Sequence, residues 1–236
     1  MGKLFKATGL KRSFGLGMPV VSVDLTMDRG ETVCLLSRKA GLGEETLLNL
    51  ISGWLDPEAG YIEFKGQNIT RLPPLERTKM GLVRAYAESQ LFNDLTVADH
   101  ILAVSRNLVE SENDLYAQWN NDGVYLRKGM RRLAEVGLHV GLNAVVGQLD
   151  PVQKMLLGLG LATLESFDML LWPLDSLPRL KDQNLENIQY ILGELANDGK
   201  ALLLVSTDAG LARDVSTNIY QLKNGLLNDQ TALLTD

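Results

Sequence analysis

The sequence predicts an α/β protein in which a mixed β-sheet core is interrupted by a mostly helical stretch. Apolar and polar residues alternate over 21–27, which is the period-two pattern of a half-buried strand. Continuous apolar runs at 32–36, 169–172 and 201–205 are typical of buried central strands. From about residue 88 to 165, strand patterns are absent and apolar residues recur at helical spacing. These patterns predict strands towards both ends of the chain, with helices between them.

Shorter patterns predict the remaining elements. The Gly-Glu pair at 30–31 provides a turn between the first two strands. Ile62 and Phe64 alternate with a polar residue and are followed by Gly66, which predicts a short strand ending in a turn. One helical face lies between the last two apolar runs and consists of Ile188, Ile191, Leu192 and Leu195. A helix between two consecutive buried strands predicts a right-handed crossover that joins parallel strands.

The middle of the chain is predicted to be a helical subdomain. Helical spacing is clearest at Met130, Leu133, Val136 and Leu138. No stretch rich in Pro, Gly or Ser separates this region from the rest of the sequence. We therefore expect a single domain over 1–236 that contains a helical subdomain at about 88–165.

Composition excludes several classes of function. The chain has 236 residues and a formal charge of −6, which argues against nucleic-acid binding through Lys and Arg. A lone cysteine, Cys34, excludes a disulfide framework, and His100 and His139 are too few and too separated to suggest a zinc site. No apolar run approaches the length of a membrane span, and the first residues lack a signal-peptide pattern. We expect a cytoplasmic protein.

A glycine-rich turn lies between the second predicted strand and an amphipathic helix, in the sequence LLSRKAGLGEETLL at 35–48. Backbone N–H groups and a helix N-terminus in this layout are typical of a phosphate-binding loop. The stretch resembles the Walker A segment of ABC-transporter ATPases, and the following TLLNLISGWLDPEAGYIEFKGQNITRLPPLERTKMGLVRAY is similar to the same family. LFNDLTV at 91–97 and LAEVGL at 133–138 extend the resemblance over nearly the whole chain.

The resemblance is closest to the branched-chain amino-acid or urea uptake branch of that family. It implies a P-loop NTPase-like ABC ATPase fold, with a mixed sheet core, an antiparallel β edge and an inserted helical subdomain. It also implies a head-to-tail dimer, in which each nucleotide site joins Walker A and B of one chain to the signature segment of the other.

The Walker A segment departs from the family pattern G-x-x-x-x-G-K-[ST]. Ser37 stands at the first glycine, and five residues rather than four precede Gly43. Glu44 takes the place of the lysine that binds the β- and γ-phosphates, and Glu45 takes that of the Mg²⁺-binding hydroxyl. At about 4 Å and an effective dielectric of about 20, a unit charge pair is worth about 4 kcal/mol. Replacing lysine by glutamate therefore turns an attraction into a comparable repulsion.

Two alternatives stay open for this loop. In the first, Lys39 or Arg38 takes the role of the missing lysine, although loop cations are more commonly solvated. In the second, the loop is a glycine-rich turn that binds no ligand. If a nucleotide binds, the resemblance places around it Phe14, Lys39, Gly41, Gly43 and Thr46. Phe14 stands where the family stacks an aromatic ring on adenine, and ordinary packing is the alternative role for that ring.

The positions of the family's catalytic residues hold side chains without the required chemistry, at Glu44, Glu45, Ala87, Pro173, Leu174 and Thr207. Ala87 stands at the Q-loop glutamine, and Gln90 follows three residues too late. Pro173 and Leu174 stand at the Mg²⁺-binding aspartate and the catalytic glutamate of Walker B, so a metal ligand and a general base are both missing.

From the signature segment onwards, this sequence aligns with the family's motifs without a gap. The alignment places Thr207 at the switch histidine and Asp208 at the matching aspartate that follows. Asp175 lies beyond Pro173, which bends the end of the strand, and we do not expect it to replace a Walker B carboxylate.

The signature segment LSGGQ is represented by Leu149, Asp150, Pro151, Val152 and Gln153. Asp150 adds a negative charge, Pro151 removes an N–H group, and Val152 blocks a close approach. An Asp-Pro pair is also an ordinary helix N-cap followed by proline at the first helical position.

We therefore expect a pseudo-ATPase, a non-hydrolysing structural or regulatory subunit of an ABC-transporter-like complex, with weak or no binding of ATP and Mg²⁺ and no catalytic metal. The alternative is an ATP-binding subunit of an importer for branched-chain amino acids or similar small solutes. The expected partners are a second ABC ATPase domain, in a homodimer or heterodimer, and a membrane-spanning subunit.

The acidic excess is concentrated in the stretch 88–122. It contains one base, Arg106, and seven acids, which are Glu88, Asp94, Asp99, Glu110, Glu112, Asp114 and Asp122. By the resemblance, this stretch follows the Q-loop and faces the membrane subunit, whose cytoplasmic loops tend to be rich in Lys and Arg. We expect it to keep a docking role at the inner face of the membrane, although a solvated face is the simpler alternative.

Overall fold

The computed structural model describes residues 3–13, 20–37, 42–107, 121–174 and 182–234. The strands in this part of the chain are β1 (Phe5–Arg12), β2 (Val20–Met27), β3 (Thr32–Leu36), β4 (Ala59–Phe64), β5 (Gln67–Asn68), β6 (Leu82–Arg84), β7 (Met169–Pro173), β8 (Ala201–Ser206), β9 (Asn218–Lys223) and β10 (Leu226–Asp229). The α-helices are α1 (Leu42–Ser52), α2 (Pro74–Lys79), α3 (Val97–Asn107), α4 (Asp122–Glu135), α5 (Pro151–Ala162), α6 (Asp182–Asn197) and α7 (Ala209–Val215). Short 3-10 helices lie at Glu88–Gln90, Val146–Gln148 and Thr231–Leu234.

The strands of the described ranges form one mixed sheet in the order β5-β4-β1-β2-β10-β9-β3-β8-β7-β6. β1 pairs antiparallel with β2 and β4, which confirms the antiparallel edge. β3, β8 and β7 are parallel neighbours, as their continuous apolar sequences predict. The helix α6 lies between β7 and its parallel neighbour β8 in the chain, which confirms the predicted order of strand, helix and parallel strand.

The chain divides into two compact units. The core unit combines Met1–Val83 with Phe167–Asp236, and the inserted unit is Arg84–Ser166. In the core unit, fully buried side chains of α1 and of the sheet, such as Leu47, Phe64 and Leu203, belong to one hydrophobic cluster. Burial of this apolar surface is the main stabilising contribution to the core unit.

Close helix packing characterises the inserted unit. A Cβ on Gly129 of α4 would stand 2.5 Å from Ile101 Cγ2 of α3, and a Cβ on Gly160 of α5 would overlap the Leu133 side chain of α4. Glycine at these two positions therefore lets the three helices approach one another to ordinary van der Waals contact.

The α4 helix ends earlier than its apolar spacing predicts. It stops at Glu135, so Val136 and Leu138, which we expected on its apolar face, lie beyond its end and are nevertheless buried. The reason is Gly137, whose φ of +78° is the left-handed conformation that commonly terminates a helix.

None of the helices in the described ranges is both long enough and apolar enough to cross a membrane.

Candidate functional site

The first turn of α1 carries the two acids that the sequence places in the Walker A segment. Ser37 follows β3, is buried, and donates its N–H to the Ser206 carbonyl oxygen at 2.9 Å. Glu44 and Glu45 lie in the first turn of the helix, where Glu44 is only 6% exposed and Glu45 is exposed. Thr46 is buried. Because a helix N-terminus carries a partial positive charge, these two carboxylates stabilise α1. They also neutralise the positive electrostatic potential that would otherwise attract a phosphate to the helix N-terminus.

Gly43 has a packing role that sequence reasoning missed. A Cβ at this position would stand 2.5 Å from Leu222 Cδ2 of β9. The absence of a side chain therefore lets the Leu222 side chain pack against the start of α1. Phe14, Lys39 and Gly41, the other candidate nucleotide contacts, lie outside the described residues, as does Arg38.

The sequence register predicts Walker B at the end of β7, and this end of the strand is apolar. Pro173 is the last residue of the strand, and Leu174 follows it with 4% of its surface exposed. The Leu174 N–H donates to the Val205 carbonyl oxygen at 2.8 Å, so backbone pairing with the neighbouring strand continues past the proline. A buried leucine offers neither a metal ligand nor a base. Asp175 lies outside the described residues.

The switch position follows β8. Thr207 is exposed, and Asp208 is the N-cap of α7, where its carboxylate accepts hydrogen bonds from the N–H groups of Gly210 and Leu211 at 2.8 and 3.0 Å. Asp208 therefore has a local role in starting the helix.

The Q-loop position lies in the inserted unit and is fixed by local contacts. The N–H of Ala87 donates to Gln90 Oε1 at 2.8 Å, so the nearby glutamine caps its own 3-10 turn. Glu88 pairs with Lys154 of α5 at 2.9 Å, and a Cβ on Gly158 of the same helix would overlap the Tyr86 carbonyl oxygen. The segment from Tyr86 to Gln90 is therefore held against α5.

The signature-like segment forms a self-capped helix start, as its Asp-Pro pair predicts. Leu149 is largely buried and Asp150 is the N-cap, with Pro151 at the first helical position. The Asp150 carboxylate accepts from the Gln153 N–H at 2.9 Å, and Gln153 Oε1 accepts from the Asp150 N–H at 3.0 Å. With Val152 following the proline, the N-terminus of α5 is occupied by a carboxylate of its own chain.

Three of the four described acids of the acidic stretch have local partners, and Glu110, Glu112 and Asp114 lie outside the described residues. Asp122 accepts two hydrogen bonds from Arg106 at 2.8 Å, and Glu88 has the lysine partner described above. Asp99 accepts from the hydroxyl and N–H of Thr96, and these bonds lower its pKa below the ordinary value. Asp94 is exposed, in contrast, and its neighbours in sequence include Phe92 and Leu95, whose side chains are also exposed.

Within the described part of the chain, no group of His, Cys, Asp and Glu side chains is arranged to hold a metal ion.

Comparisons with known proteins bear on the whole arrangement. A family model described as "ABC transporter" matches residues 20–172. The ribose import ATP-binding protein RbsA of Halalkalibacterium halodurans is 25% identical over 206 residues, which cover 86% of this chain and 39% of that protein. The lipopolysaccharide export system ATP-binding protein LptB of Acidithiobacillus ferridurans is 32% identical over 156 residues, 61% of this chain and 64% of that protein. The chain thus spans about four tenths of the length of the ribose import relatives.

Solved structures show the same fold. A nucleotide-free ATP-binding cassette from an ABC transporter superposes with a TM-score of 0.81 at 20% identity, over 100% of this chain and 96% of that one. A dimeric bacterial ABC transporter cassette gives 0.79 at 20% identity, over 96% and 98%. The relatives are named for ribose import and lipopolysaccharide export, so the branched-chain amino-acid or urea branch stays a prediction.

Proposed function

The chain belongs to the ABC transporter family, and we propose that within this family it is a pseudo-ATPase. In this proposal it neither hydrolyses nor firmly binds ATP, and it acts as a structural or regulatory subunit of an ABC-transporter-like complex. It requires no bound Mg²⁺.

The observation that carries the proposal is the start of α1. The buried Glu44 and the adjacent Glu45 place two carboxylates in the helical turn where the family binds phosphate. A carboxylate buried there repels a polyphosphate, and burial reduces the screening that water would otherwise supply.

Two further sites support the same conclusion. The apolar end of β7, at Pro173 and Leu174, provides no carboxylate to position Mg²⁺ or to accept a proton from water. The N-terminus of α5 is already occupied by Asp150, which disfavours a phosphate from a partner chain. In a head-to-tail dimer with an intact cassette, the defects in this chain would therefore affect both composite sites.

Calorimetry with Mg-ATP tests the proposal directly. We expect the chain to bind Mg-ATP more weakly than about 1 mM. Glu44→Lys should bind more tightly than the unaltered chain, because it replaces the repulsive charge by the family's cation. Glu76→Lys, which makes the same change of net charge at an exposed residue of α2, should leave binding unchanged.

Micromolar affinity of the unaltered chain, or ATP turnover lost on Asp175→Asn, would contradict the pseudo-ATPase proposal. Either result would favour the alternative, an importer subunit for branched-chain amino acids or similar small solutes that still uses ATP. Relatives named as import ATP-binding proteins are the observation that keeps this alternative in view.

We also propose two partners, a second cassette in a homodimer or heterodimer and a membrane-spanning subunit at the inner face of the membrane. The exposed group Phe92, Asp94 and Leu95 is the part of the acidic stretch that supports docking, because it combines apolar surface with a carboxylate. Basic cytoplasmic loops of a membrane subunit would complement it.

Reversing this surface charge should release the membrane subunit. We expect Phe92→Ser with Asp94→Lys to abolish co-purification with the membrane-spanning subunit from detergent-solubilised membranes. The matched control, Tyr190→Ser with Asp198→Lys, changes an exposed aromatic residue and an acid of the core unit and should leave co-purification intact. Equal recovery with both variants would exclude this surface as the docking site.

A further inference from the structure

The chain crosses between its two units twice, at 83/84 and at 166/167. Gly81 and Asp168 lie on the core side of these two crossings. The Asp168 N–H donates to the Gly81 carbonyl oxygen at 2.8 Å, and the Met169 N–H donates to the same oxygen at 3.0 Å. Backbone hydrogen bonds therefore join the two crossings directly.

The Asp168 carboxylate extends this connection to two distant turns of the core unit. Its Oδ1 accepts from Arg29 Nη1 at 2.5 Å, and its Oδ2 pairs with Lys65 Nζ. Arg29 lies between β2 and β3, and Lys65 lies between β4 and β5. The Lys65 ammonium also donates to the Met80 carbonyl oxygen at 2.7 Å, next to Gly81. One carboxylate thus ties both turns to both crossings.

Asp168 is more buried than the carboxylate of an ordinary surface pair. Its side chain is 20% exposed and those of Arg29 and Lys65 are 56% and 36% exposed, whereas Arg71 and Asp56 of a surface pair are 69% and 62% exposed. Burial raises the pKa of Asp168, but hydrogen bonds from Lys65 and Arg29 outweigh that effect and hold the pKa below its ordinary value. The carboxylate is therefore ionised at neutral pH, with two cations as partners.

The backbone of Lys65 supports a specific role for its side chain. Its φ is +53°, in the left-handed region that side chains other than those of Gly, Asn and Asp rarely adopt, and Gly66 follows at +76°. Glycine or asparagine would be the ordinary residue at this turn. A lysine persists in such a conformation where its contacts offset the strain, and here those contacts are Asp168 and the Met80 carbonyl oxygen.

We propose that Asp168, Arg29 and Lys65 form a clamp that makes the two crossings act as a single hinge for the inserted unit. While the clamp is closed, both crossings are anchored to the core unit at one point. When the clamp is broken, the backbone hydrogen bonds at both crossings open together, and the interior of the core unit stays protected from hydrogen exchange. This role depends on contacts within the core unit and is independent of the proposed loss of ATPase activity.

Hydrogen–deuterium exchange of the full chain tests the clamp. In Asp168→Asn we expect amides at 81–84 and 166–169 to exchange roughly tenfold faster, with β3 unchanged. Lys65→Asn should give the same pattern, because asparagine tolerates the left-handed turn but lacks the ammonium. The control is Glu165→Gln, which removes the exposed Lys128–Glu165 pair near the second crossing and should change neither segment.

Three results would overturn the clamp. The first is unchanged exchange at both crossings in the two clamp variants. The second is faster exchange at one crossing alone, since a single hinge requires both to respond. The third is an equal increase at β3 and at the crossings, since that pattern indicates general destabilisation of the core unit.

Discussion

Replacing Arg77 with leucine is expected to lower the free energy of unfolding by about 3–5 kcal/mol. The guanidinium is buried in the core unit and donates at 2.7–3.0 Å to four backbone carbonyl oxygens, those of Leu50, Ile51, Thr70 and Leu72. Burial lowers the pKa of Arg77 to about 10, so it is charged at neutral pH. Two of the carbonyls belong to the last turn of α1, where a cation also complements the helix dipole. Leucine would remove the guanidinium donors from all four buried oxygens, and the Leu50 oxygen would keep the bond from the Gly53 N–H at 3.3 Å.

Chemical denaturation measures this loss, and Arg71→Leu is the matched control. Arg71 is an arginine of the same region whose ion pair with Asp56 is mostly exposed, so its loss should cost no more than about 0.5 kcal/mol. Arg77→Lys should lie between the two, because an ammonium keeps the charge but cannot reach all four carbonyls. Similar stabilities for Arg77→Leu and Arg71→Leu would show that the buried hydrogen bonds contribute little.

Gly158→Ala is expected to cost about 2–3 kcal/mol in the stability of the inserted unit. The added Cβ would overlap the carbonyl oxygen of Tyr86, and backbone atoms cannot turn aside as a flexible side chain can. The segment from Tyr86 to Gln90 must therefore move away from α5. Thermal unfolding and tryptic cleavage near Arg84 should both register the change.

Gly193→Ala is the control for this substitution, and it should change stability in the opposite direction. Gly193 lies on the exposed side of α6, and nothing lies within 4 Å of a Cβ added there. Alanine in a helix is therefore expected to stabilise by about 0.5–1 kcal/mol. If both alanine variants raise the melting temperature, the close approach of Tyr86 to α5 is not required for stability.

Strands and helices could be predicted where the pattern of apolar residues within the element itself is uninterrupted. The apolar runs of β3, β7 and β8 predict buried parallel strands because both faces of such strands are covered. β1 could not be identified this way, because shifts in its pairing between Ala7 and Leu10 break the alternation of apolar residues. The hairpin of β9 and β10 did leave a signal, the Asn224-Gly225 pair with positive φ, which the sequence analysis did not use.

In the candidate site, too, features that depend on a local sequence pattern could be predicted, and features that depend on contacts between distant residues could not. The Asp150–Gln153 spacing is a local capping pattern, so the start of α5 could be predicted. The packing of Gly43 on Leu222 and of Gly158 on Tyr86 depends on residues far apart in sequence. Nothing near Arg77 in the sequence distinguishes it from a surface arginine, because its acceptors are backbone oxygens.

The self-capped start of α5 has a consequence for the conformation of this helix N-terminus in an assembly. A helix start whose backbone N–H groups are bonded by side chains of its own chain is biased towards a single conformation. Asp150 and Gln153 satisfy each other, and Pro151 has no N–H to offer. If the chain is the pseudo-ATPase proposed above, we expect this helix start to keep the same conformation with and without nucleotide in any assembly that includes it.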